Sequence, residues 1–196
     1  MSKILVDTID TRSGTSTLTV GSSNSSAISL AKNVSLASGV VQSNLNNPAF
    51  LAYLSGAASG GSVSDATATI VVLDTEIFDS DGKFDTSNGR FTPGIAGKYF
   101  FYASARFQSS SDFDNFEVAI YKNGSAFVGA TNDSRHDGTR VAPMKISSTM
   151  VLSATDYIEV YGYIDTSSGS PEFAVSTNGG DGGYYGTRWG AYKIIE

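Results

Sequence analysis

Two short stretches concentrate hard oxygen donors: Asp79-Ser80-Asp81-Gly82 and Asp112-Phe113-Asp114-Asn115. Carboxylates this close suit a divalent cation such as calcium. Neither stretch fills an EF-hand loop, however, and aspartate before glycine is chiefly turn chemistry. The favoured account is therefore structural, with no metal and no cofactor. His136 is the only histidine and cysteine is absent, so zinc would lack ligands. A Ser-His-Asp arrangement would need a nucleophile turn, and no G-x-S-x-G occurs. These absences argue against an enzyme. Two other stretches suit recognition rather than catalysis. The glycine-rich NGGDGGYYG (178–186) lacks the Lys and Ser/Thr of a phosphate loop. Its Tyr184 and Tyr185, beside Asp181, can stack on sugar rings or a partner, or pack between subunits. In RHDGTR (135–140), Arg135, His136, Asp137 and Arg140 read either as an exposed recognition rim or as a solvated hairpin loop, the latter favoured.

The totals narrow the classes further. The chain has 196 residues, of which 40% are hydrophobic and only 16% charged, with a formal net charge of −6. Few residues are strong helix formers, so β-structure and turns are expected. No basic stripe is present, which argues against a nucleic-acid partner. No apolar run of about 18 residues suggests a membrane span. The start, MSKILVDTIDTRSG, lacks the apolar core of a signal peptide.

The elements that position these residues are set by alternation. Strands are predicted over 68–73, 97–103, 116–121, 145–152, 157–164, 173–176 and 187–195, with a reversal at Asn123-Gly124. Short strands separated by turns, with no strand–helix alternation, predict an all-β sandwich or barrel. In FDSDGKFDTSNGRFTPGIAGKYFF (78–101), DG and NG reverse the chain while Phe84 and Phe91 point inward. Residues 46–56, NNPAFLAYLSG, are predicted as one short helix, capped by Asn47, started by Pro48 and ended by Gly56. Phe50, Leu51 and Leu54 would form its docking face. A Gly/Ser linker then runs to residue 64. Residues 1–41 carry the triplets Leu18-Thr19-Val20, Ile28-Ser29-Leu30 and Val34-Ser35-Leu36. None can bury enough surface alone to offset its ordering entropy, so this arm is either disordered or ordered by assembly. The second option makes Leu18, Val20, Ile28, Leu30, Val34, Leu36, Phe50 and Leu54 its assembly residues. The division is then an arm at 1–41, helix and linker at 42–64, and a head at 65–196.

Residues 73–101 resemble the signature of complement C1q globular heads, relatives of the tumour necrosis factor jelly roll. Asp79, Phe84, Phe91, Gly97, Tyr99 and Phe101 fall at its intervals. Leu73 stands where the family has Phe, and Ala103 where it has an aromatic. EVAIYKNG (117–124), STMVLSATDYIEVYGY (148–163) and RWGAYKII (188–195), with Trp189 in the usual aromatic place, are similar to later family strands. The resemblance implies a jelly-roll β-sandwich, association as a homotrimer, and calcium as a ligand of some heads. The arm, MSKILVDTIDTRSGTSTLTVG, looks like the N-termini of structural proteins, including tail fibres, of tailed phages from marine bacteria and cyanobacteria. Together these resemblances imply a non-enzymatic virion protein. It would be a trimeric fibre or knob, anchored by residues 1–41 to other virion proteins and presenting its head to host-surface glycans. One alternative is a capsid decoration protein that stiffens the shell. Another is a secreted lectin-like module.

Overall fold

The computed structural model describes residues 46–56, 61–135, 138–175 and 186–194, all within the unit spanning residues 42–196. The arm triplets Leu18 to Leu36, and likewise His136, Asp181, Tyr184 and Tyr185, lie outside the described residues. Among those described, the chain forms twelve strands and no helix. One six-stranded sheet contains β1 (Ala49–Tyr53), β3 (Thr75–Asp79), β6 (Gly97–Gln108), β9 (Val141–Leu152), β11 (Glu172–Phe173) and β12 (Arg188–Lys193). The other contains β2 (Thr69–Ile70), β4 (Phe84–Asp85), β5 (Arg90–Phe91), β7 (Phe113–Lys122), β8 (Ser125–Asp133) and β10 (Ile158–Thr166). All pairings are antiparallel.

In the first sheet β6 is central, pairing with β9 along its whole length and with β12 and then β11 on its other side. β12 pairs with β1, and β1 with β3 at the edge. In the second sheet β10 pairs with β7, which pairs with β8. At its start β10 also meets β5, which pairs with β4. The chain enters β1 beside the end of the last strand: Lys193 N donates to Asn46 O and Pro48 O, each at 3.2 Å.

Inward-facing residues alternate along each long strand, as a half-buried sheet requires. In β6, Tyr99, Phe101, Ala103, Ala105 and Phe107 are buried; in β10, Ile158, Val160 and Ile164 are. Phe50, Phe84, Phe91, Tyr99, Phe101 and Trp189 form a connected ring cluster between the sheets. Phe50 stacks on Phe84 at 4.5 Å and meets Trp189 edge-on at 4.7 Å. The predicted Asn123-Gly124 reversal joins β7 to β8 with both residues at positive φ, 52° and 77°. That is the geometry of a primed hairpin turn, which asparagine and glycine accommodate best.

The expected helix at 46–56 is overturned. Ala49–Tyr53 is a strand, held between β12 and β3, with Phe50, Ala52 and Leu54 all fully buried. The run AFLAYL is apolar at nearly every position, so it fits both helical and strand periods. Two flanking strands saturate its backbone, which a helix of two to three turns could not match by packing alone. Further on, Val63 is buried and its N–H donates to Pro171 O at 3.0 Å. Phe50 and Leu54, expected to serve assembly from a helical face, fill the core instead. The strand predicted at 68–73 shortens to Thr69–Ile70, although Val71 N still reaches Val160 O at 2.8 Å.

Candidate functional site

Each sheet has one face on the core and one facing outward, and the outward faces carry the side chains available for contact. On the first sheet, Phe100 and Tyr102 of β6 alternate with the buried Tyr99 and Phe101. Their rings lie 6.3 Å apart, and Phe100 sits 5.5 Å from Tyr192 of β12. Phe100, Tyr102, Ser104, Lys145, Ser147 and Arg188 line a shallow cavity of about 390 Å³ on this face. Partial burial pushes the Tyr102 phenol above its usual range, although Arg188 opposes the shift. Beside it, edge strand β9 exposes alternate residues, including Val151 at 67% and Val141 at 48%. Of these side chains, the aromatic and arginine ones are of the types enriched at protein interfaces.

On the second sheet, Tyr121 of β7 and Tyr161 of β10 bring their rings to 4.2 Å. Arg90 of β5 donates to Glu159 Oε1 through Nε (3.1 Å) and Nη2 (2.7 Å), and its guanidinium lies 3.9 Å above the Tyr157 ring. Glu159 is 4% exposed, so this pairing compensates a desolvated carboxylate. The Glu159 hydrogen bond in turn holds the Arg90 guanidinium more firmly protonated.

The acidic stretches are engaged in the fold. Asp79 Oδ2 accepts the Phe84 N–H at 2.8 Å, and Asp79 Oδ1 accepts that of Asp81 at 3.3 Å. Asp112 Oδ1 accepts Arg140 Nε at 2.7 Å. Among the described residues no group of three or more His, Asp or Glu side chains is placed to hold a metal ion. Of the recognition candidates, Arg135 and Arg140 are both exposed at one end of the sandwich. Arg135 pairs with its neighbour Asp133. Arg140 sits where its own carbonyl accepts Ser109 N at 2.9 Å and Thr139 O accepts Phe113 N at 2.8 Å. They present a polar rim.

The aromatic faces were not among the residues singled out from sequence. The signal was available: Phe100 and Tyr102 occupy the phase of β6 opposite the core, and Tyr161 and Tyr163 do the same in β10.

Among known families, the C1q domain matches residues 49–170. A curated relative, the phage-like element PBSX protein XkdV of Bacillus subtilis (strain 168), is 32% identical over 109 residues. The match covers 53% of this chain and 16% of that protein, so the chain spans a small part of the relative's length. The globular domain of zebrafish complement 1qA superposes with a TM-score of 0.50 at 12% identity, covering 76% of this chain and 98% of that one. Murine APRIL at pH 5.0 gives a TM-score of 0.52 at 13% identity, covering 74% and 99%. At these identities the likeness is one of fold.

Proposed function

The chain belongs to the C1q domain family, and from that premise we propose that it is a non-enzymatic structural protein of a phage particle. In this reading it is a homotrimeric fibre or knob, anchored to other virion proteins through residues 1–41, whose heads attach to host-surface glycans. The observation that carries it is the aromatic outer face of the first sheet. Phe100, Tyr102 and Tyr192 form a patch of the kind that marks an interaction surface, and the valines exposed at the two ends of β9, Val141 and Val151, offer a contact for it. A patch meeting a different edge of the next copy is a heterologous contact, which closes into a ring when the rotation allows. The relative named for a phage-like element supports the particle setting. Three heads on one axis would let weak contacts sum by multivalency.

The test is solution mass by light scattering. The wild-type chain is expected at three times its 20.5 kDa. Phe100→Glu, which places a charge in the patch, is expected at one copy with its β-sheet circular dichroism retained. A wild-type mass of one copy overturns the assembly reading.

A further inference from the structure

The outer face of the second sheet carries a shelf that the assembly proposed above leaves free. Tyr161 and Tyr163 stand two residues apart on β10, about 7 Å along the strand. Register places Ala119 opposite Tyr161 and Glu117 opposite Tyr163 on β7, with Gly129 of β8 opposite Ala119. The small residues leave a dip between taller walls, a cavity of about 90 Å³ lined by Tyr121, Tyr161, Tyr163, Glu117, Ala119 and Ala68. A Cβ on Gly129 would lie 2.9 Å from Glu117 Oε1, so glycine is what lets this carboxylate lie across β8.

The polar groups at the shelf retain bonding capacity. Glu117 accepts one hydrogen bond within the described residues, from Thr131 Oγ1 to Oε2 at a long 3.3 Å, whereas a carboxylate can accept about four. The phenol hydroxyls of Tyr121, Tyr161 and Tyr163 have no hydrogen-bond partner among the described residues. Arg90, on the same face, is tied to Glu159.

We propose that this shelf binds a neutral hexopyranose of a surface glycan, its apolar C–H face against Tyr161 and Tyr163 and its hydroxyls donating to Glu117. Tyr161 already leans on Tyr121, ring to ring at 4.2 Å; tyrosine rings so grouped beside an under-used carboxylate match a molecule that is apolar on its flat sides and hydroxylated at its rim. The charge decides between sugar classes: Glu117, Glu159 and Asp165 share this face in a chain of net charge −6, which disfavours sialic and uronic acids. The proposal rests on the attachment role given above and locates it.

Saturation-transfer NMR on the full chain tests it, with methyl β-D-galactopyranoside, methyl β-D-glucopyranoside and N-acetylneuraminic acid as probes. Transfer to the ring C–H protons of at least one methyl glycoside is expected, with a Kd on the order of millimolar for so small a ligand, and none to N-acetylneuraminic acid. Tyr161→Ala is expected to weaken binding about tenfold, and Glu117→Gln, which keeps the side-chain shape, about threefold or more. Tyr184→Ala, in the glycine-rich loop, should leave it unchanged. No transfer to either glycoside, or equal transfer in wild type and both shelf variants, overturns the proposal. Binding lost only in Tyr184→Ala would move attachment to that loop, leaving the attachment role intact while removing the shelf.

Discussion

Replacing Phe50 by alanine tests whether β1 belongs to the head or merely precedes it. Phe50 is fully buried and touches aromatic rings from both sheets: Phe84 at 4.5 Å, Phe91 at 5.0 Å and Trp189 at 4.7 Å. Truncation removes the transfer free energy of the ring and leaves a cavity. Phe84, Phe91 and Trp189 are each fixed on a different strand, so the space cannot readily collapse. The cost belongs in the usual range for buried phenylalanine, about 3–5 kcal/mol. For a unit of this size that corresponds to a fall in Tm of about 10 °C. The assay is thermal unfolding followed by far-ultraviolet circular dichroism, with wild type and Phe50→Ala at equal protomer concentration, because assembly makes Tm concentration-dependent. A fall smaller than about 3 °C would show that residue 50 lies outside the cooperative core, and the placement of β1 would be wrong.

Two further substitutions probe packing and charge. Gly162→Ala would place a Cβ 2.3 Å from Phe173 Cε1 and 2.9 Å from Phe107 Cε1, so overpacking should cost about 1–3 kcal/mol, read as a lower urea midpoint at unchanged slope. Asp156 is held down to about 2 by the Asn123 side chain, the Ser153 N–H and Lys122. A carboxyl with a depressed folded-state pKa adds stability above its unfolded value, here 3.8, and loses it as pH falls through the folded one. The drop in Tm between about pH 4 and pH 2 should therefore be smaller in Asp156→Asn than in wild type, and an equal drop would count against the assignment.

The long strands were legible in sequence because their alternation is strong. GKYFFYA, FEVAIY and YIEVYGY each place an apolar residue at every second position, and β6, β7 and β10 follow them. β1 was not legible, since AFLAYL satisfies two periods at once and only the neighbouring strands choose between them. β8 was missed for the opposite reason: Ser125–Asp133 is an edge strand whose residues are mostly exposed, and pairing with β7 is what defines it. The inward Phe84 and Phe91 could be read from the turns that flank them. In YFFY, however, four consecutive aromatics conceal that two face the core and two face out. The tyrosine shelf joins residues from three separated strands, so no local pattern announces it.

The hydrogen bonds from Lys193 to Asn46 and Pro48 have a practical consequence for anyone building on this scaffold. A peptide appended after the final strand would emerge beside the point where the chain enters β1. The turns at 109–112 and 167–170 sit at the other pole, a full strand length away, about 40 Å along β6. Grafts placed there would be displayed a strand length from the Asn46 and Lys193 ends of the sheet.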